Sequence, residues 1–170
     1  MELLAPAGSR QALTAAVQSG ADAVYLGGPQ FGARYSAENF TIEEMKTWVD
    51  YCHLYGVDVH VTVNTLVKEK EIESLKEYLK QLNKIGVDAL IVQDMGAVEI
   101  IKKTVPDMTL HASTQMTVTS LEGVKYLEDM GFSRVVLARE LSEKEIEHIC
   151  KNAKAEIEVF VHGAICMCYS

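Results

Sequence analysis

Apolar residues recur along this chain with two periods. Every second position is apolar in Val59-His60-Val61-Thr62-Val63-Asn64 and again in Ile157-Glu158-Val159-Phe160-Val161-His162, the alternation of strands with distinct faces. Ile72, Leu75, Leu79, Leu82 and Ile85 instead fall three or four residues apart, which places them on one side of a helix. Thr41 with Glu44, and Ser142 with Glu145, have the spacing of capping boxes, which satisfy free amides in a first helical turn. One phrase joins the two periods: a glycine, an apolar residue, Asp or Ser, one more residue, then an apolar strand. It occurs at Gly20-Ala21-Asp22, Gly56-Val57-Asp58, Gly86-Val87-Asp88 and Gly131-Phe132-Ser133. Glycine just past a helix can take the left-handed conformation that ends it. Four such junctions, 30 to 45 residues apart, have the period of βαβ units. The pattern predicts helices over about 9–19, 41–55, 69–85, 95–105, 120–130 and 142–152. It predicts strands over 2–5, 23–26, 58–63, 89–92, 109–112, 134–137 and 157–161.

Seven strands alternating with six helices point to an α/β fold, a parallel TIM-type β/α barrel that lacks its last helix, strand and helix. An open doubly wound sheet is the second choice, because Ala5-Pro6-Ala7-Gly8-Ser9 holds a single glycine where a dinucleotide fingerprint needs three. No Pro- or Ser-rich linker interrupts the chain, so residues 1–170 are expected to form one domain, truncated before its last βα unit. Open edges on the first and seventh strands would favour self-association.

Composition changes this picture little. At 48% hydrophobic and 24% charged residues, the chain matches an ordinary globular domain. No apolar run approaches the roughly 18 residues of a membrane span. Met1-Glu2 leads directly into a strand pattern without a basic leader, so a cytoplasmic location is expected. The net charge of −8 has the wrong sign for binding nucleic acid by phosphate neutralisation, so RNA contacts would need a local basic patch or sequence beyond Ser170. Glu140 to His148 reads as a solvated helix face.

The strand alternation yields the candidate site. If Val59, Val61 and Val63 face helices, His60, Thr62 and Asn64 face the interior; His111, Ser113 and Gln115 follow the same parity, as do Glu158, Phe160 and His162. Glu2, Tyr25 and Gln93 fit it too. Buried polar groups need partners, so this interior suggests either a hydrogen-bonded network or a ligand pocket. We take Asn64, His111, Gln115 and His162 as candidate catalytic residues and Tyr25, His60 and Gln93 as candidate substrate contacts. Arg34, in the long loop from Gly27 to Phe40, joins them as an anchor for an acidic substrate. Cys52 and Cys150 read as inert core thiols, whereas Cys166 and Cys168 follow a strand end where sites are built. Two thiols make only half of a four-thiolate metal set.

The tail pattern Glu158-x-Phe160-x-x-Gly163-Ala164-Ile165-Cys166 closely resembles the signature of the collagenase-like peptidase family, peptidase family U-32. Met1 to Ser9 and Ala23 to Gly28 resemble the start of the same proteins. The resemblance implies a [4Fe-4S] cluster whose first ligand matches Cys166, with the other three beyond Ser170, so the chain as it stands is expected without the cluster. It implies oxygen-independent hydroxylation of tRNA or rRNA pyrimidines, or of quinone precursors, with prephenate as the hydroxyl donor in the RNA-modifying branch. The family's historical label implies instead a peptidase acting on collagen-like substrates. The chain carries no H-E-x-x-H pair and no G-x-S-x-G elbow for that chemistry, though a Cys166 nucleophile activated by His162 is conceivable. An inactive barrel fragment or scaffold is the third reading.

Overall fold

The computed structural model describes residues 1–33 and 40–163. The chain divides into two compact units, Met1–Met108 and Thr109–Ser170. The first contains β1 (Leu4–Pro6), α1 (Arg10–Gln18), β2 (Ala23–Gly27), α2 (Ile42–Leu54), β3 (Asp58–Val63), α3 (Ile72–Ile85), β4 (Ala89–Val92) and α4 (Met95–Thr104). The second contains β5 (Thr109–Ala112), α5 (Leu121–Asp129), β6 (Arg134–Val136), α6 (Glu143–Asn152) and β7 (Glu156–Glu158). Within each unit neighbouring strands are parallel and follow chain order. Among the described residues, seven parallel strands alternate with six α-helices, the architecture of an incomplete TIM-type β/α barrel.

The helices start where the sequence says they should. Ser9, Thr41, Asp94 and Ser120 each accept a backbone N–H of the first turn, and Thr41 with Glu44 completes a capping box. The expected helix from 69 begins instead as a 3-10 turn, Glu69–Glu71, before α3 proper. The helices close against the strands through apolar stripes: Met45, Val49 and Cys52 of α2, and Leu75, Leu79 and Leu82 of α3, are buried. Val24, Val59, Val61, Val63, Leu90 and Val92 are wholly buried on the strands. Each such side chain contributes about 1.5–3 kcal/mol of hydrophobic stabilisation.

The recurring glycine phrase is a device for starting strands. Gly20, Gly56, Gly86 and Gly131 all have left-handed φ, between 69° and 85°. Two residues later the polar side chain or its backbone reaches the preceding strand. Asp22 Oδ2 accepts the Leu3 amide at 2.7 Å, and Asp88 Oδ2 accepts the Val59 amide at 2.7 Å and lies 2.8 Å from His53 Nε2. Ser133 Oγ donates to the Leu110 carbonyl at 3.2 Å. The carboxylates fix the register at the N-terminal ends of the strands, the end of such folds that serves stability.

The last strand is shorter than its alternation predicts. The Leu137 amide still donates to the Glu158 carbonyl at 3.0 Å, but the next amide, Ala138, donates to Val118 at 3.0 Å. β6 therefore turns away from β7, and Val159 and Val161, expected to face helices, are 39% and 89% exposed. Glu2 lies ahead of β1 and is exposed rather than interior, because the β1 ladder begins only at Leu4.

Asp88→Ala removes the acceptor of the part-buried Val59 amide and should cost about 1–3 kcal/mol. We expect a lower urea midpoint with an unchanged slope, and a midpoint matching the parent protein would refute the latch.

Candidate active site

In the first unit the ladder sets Tyr25, His60 and Ala89 at one level and Gly27, Thr62 and Ile91 at the next. These residues alternate with the fully buried valines, so they occupy the opposite face of the strands. His60 is 3% exposed and Tyr25 half-buried, and both have contacts beyond the ladder. Thr62 Oγ1 donates to the Leu26 carbonyl at 3.4 Å.

The C-terminal ends of β3 and β4 are held by side chains. Asn64 Oδ1 accepts the Ala33 amide at 3.0 Å, which ties the β2–α2 loop across the end of β3. Ser74 of α3 donates to Gln30 of the same loop at 3.0 Å, and Phe31 packs on Tyr78 with ring centres 5.8 Å apart. Gly28 sits against the Tyr78 hydroxyl so closely that a Cβ there would lie 1.9 Å from it. Gln93 is half-buried just past β4. Beside it Asp94 caps α4 through Oδ1 and accepts the Val67 amide through Oδ2 at 2.9 Å. Asp94 was not singled out in the sequence, although Asp two residues ahead of a helical run is a cap signal. Arg34 lies outside the described residues.

In the second unit His111, Arg134 and Glu156 stand at one level, and Val136 opposite Glu158 at the next. His111 is 4% exposed and Ser113 2%. Arg134, which the strand parity could have flagged, is 8% exposed. Its Nε and Nη2 donate to Glu156 Oε2 at 2.8 and 2.5 Å, and Nη1 lies 3.6 Å from Glu158 Oε2. Removing one partner of a buried pair like this typically costs 3–5 kcal/mol, less here because the Glu156 side chain is 66% exposed. Gln115 departs from the expected alternation. β5 ends at Ala112, Ser113 caps a 3-10 turn over Thr114–Met116, and Gln115 is exposed within that turn.

After β6 the chain presents Arg139, whose guanidinium carbon is 4.0 Å from the centre of the Phe160 ring. His162 is exposed beyond β7 and precedes Gly163, whose φ is +138°. Leu137, Leu141, Ile146, Val159 and these residues surround a cavity of about 250 Å³. Cys166 and Cys168 lie outside the described residues. Among the described residues no group of three His, Cys, Asp or Glu side chains gathers to hold a metal, so these residues alone do not fit an iron–sulfur cluster. No described helix is long and apolar enough to cross a membrane.

The other two cysteines differ from each other. Cys52 is buried in α2, and burial, with a smaller push from the Asp88 carboxylate, raises its thiol to about 11. Cys150, expected in the core, is exposed, because the buried position of α6 is its neighbour Ile149. At pH 8 only roughly one part in a thousand of Cys52 is thiolate, the form that reacts. Iodoacetamide should therefore modify Cys150 in the native protein and Cys52 only after unfolding, read by peptide mass spectrometry. Equal labelling of both in the native state would contradict this.

The sequence profile of peptidase family U32 matches residues 8–170. The chain is 44% identical over all 170 of its residues to a 23S rRNA 5-hydroxycytidine synthase of Escherichia coli, of which it covers 25%. It is 41% identical to a tRNA hydroxylation protein of Bacillus subtilis, with 99% of this chain and 40% of that protein aligned. An uncharacterized protease of Methanocaldococcus jannaschii is 37% identical across the full chain, which covers 42% of it. The chain thus spans between a quarter and about two fifths of these relatives. Among solved structures, a U32 peptidase superposes with a TM-score of 0.77 at 20% identity, covering 94% of this chain and 68% of the other.

Proposed function

Because the chain belongs to peptidase family U32, we propose that it forms the N-terminal barrel portion of a protein that hydroxylates pyrimidines of tRNA or rRNA without molecular oxygen. The observation that carries this reading is the 44% and 41% identity, over essentially the whole chain, to relatives named for rRNA and tRNA hydroxylation. The family resemblance adds a [4Fe-4S] cluster and prephenate as hydroxyl donor. Cys166 would be the first cluster ligand, with the others supplied from beyond Ser170. A cluster of that kind supplies electron transfer; no step through it is derived from the residues described.

The chain's own residues would bind and orient. Tyr25, His60 and Gln93 offer a polar surface on the helix-free face of the first unit, and His111 does so in the second. Asn64 acts at one remove, holding the loop at Ala33 next to Arg34. His162 and Gln115, both exposed near strand ends, are placed to meet substrate from solution. With a chain charge of −8, RNA affinity would come from basic regions elsewhere in the full protein, in the cytoplasm where its RNA resides. Within this proposal residues 1–170 belong to one barrel domain completed by later sequence.

The test is nucleoside mass spectrometry on RNA from the native organism with the gene deleted and then restored. Deletion should abolish a 5-hydroxypyrimidine, the intact gene should restore it, and Cys166→Ala should restore less than about a tenth. Unchanged hydroxylation on deletion, with gelatin cleavage that is lost in Cys166→Ala, would replace this reading by the peptidase one.

A further inference from the structure

The cavity beyond β6 and β7 has a chemical character of its own. Leu137, Leu141, Ile146 and Val159 supply apolar wall, and Arg139 brings a permanent positive charge to it. No carboxylate is among the described residues that line it. Phe160 fixes the plane of the guanidinium by stacking at 4.0 Å, which turns the N–H edge of the group, not its face, toward other partners. At Gly163 a Cβ would lie 3.9 Å from Arg139 Nη2, so the backbone passes close to that edge without crowding it. Arg139 has further contacts within the protein, and five donors allow a carboxylate to be held in addition to them.

We propose that this cavity binds a small organic acid, with its carboxylate on Arg139 and an apolar ring or branched body against Leu137, Leu141, Ile146 and Val159. Three features decide the class. At about 250 Å³ the space lies below the range of drug-sized pockets, which excludes large ligands. A flipped nucleobase needs a free aromatic face and a pattern of donors and acceptors along its edge, but the Phe160 face is covered by Arg139. Inorganic phosphate would leave its doubly charged oxygens against apolar walls, at a desolvation cost that a single guanidinium does not offset. An acid with an apolar body satisfies both the cation and the walls. The position, at the C-terminal ends of two parallel strands, is where β/α folds place their ligands. Identifying the acid with a hydroxyl donor rests on the function proposed above; the binding itself requires neither RNA nor a cluster.

The experiment is a titration of the full-length protein with benzoate, benzyl alcohol and inorganic phosphate, followed by ligand-observed NMR. Benzoate should bind at least ten times more tightly than benzyl alcohol or phosphate. Arg139→Ala should weaken benzoate at least ten-fold without changing benzyl alcohol, and Arg139→Lys should fall between, since an ammonium keeps the charge but loses the two-point fork. Ile146→Trp, which fills the cavity while keeping Arg139, should abolish binding of both aromatic probes. Unfolding midpoints of each variant identify any that fail to fold. Benzoate binding that is absent from the parent protein, or that is indifferent to both Arg139→Ala and Ile146→Trp in folded protein, overturns the site. Benzoate binding that persists while RNA hydroxylation is shown not to occur upholds the site and removes only its link to a hydroxyl donor.

Discussion

A single steric constraint organises the chain: parallel strands covered by helices must turn every second side chain toward those helices, and those side chains must be apolar. Val24, Val59, Val61, Val63, Leu90 and Val92 meet that demand with complete burial. The remaining positions are then free of the helix contact, and the chain uses several of them for groups that a simple core would exclude. His60 and His111 are 3% and 4% exposed, and Arg134 is 8% exposed. Polar groups at such depth need contacts, which all three have. The stability of each unit and the polar character of its other face therefore have one cause.

The same constraint explains how much could be read from the sequence. The helices and strands follow from periodicities of 3.6 and 2 and from caps that local residues provide. Thr41 and Glu44 form the capping box that their spacing predicts, and the four glycines end helices in the left-handed conformation their phrase demands. What failed was set by distant partners. The alternation from Ile157 to His162 is real, but a strand also needs a neighbour, and β6 diverts to Val118 at Ala138. Gln115 had the right parity for a strand residue, yet Ser113 turns the chain into a 3-10 cap, a choice that small polar residues make through their own hydroxyls. Cys150 was misplaced for a simpler reason. Adjacent helix positions are about 100° apart, so burial of Ile149 turns its neighbour to solvent.

Two arginines were also illegible as site residues, because nothing in a single sequence says which carboxylate or ring a guanidinium will meet. The structure pairs them with the residues that make the tail distinctive. Arg134, at the start of β6, reaches Glu156 and Glu158, and Arg139, just past its end, stacks on Phe160. Glu158 and Phe160 are the polar and aromatic positions of the family-like tail pattern, so both serve the docking of β7 against the β6 segment. Arginine suits both tasks for different reasons: its fork spans two carboxylates, and its flat face packs on a ring. A lysine at either place would keep the charge and lose the geometry. That geometry fixes where the chain stands at Gly163, the last described residue before the cysteine-bearing tail, and a site built from later ligands would inherit its starting position from these two contacts.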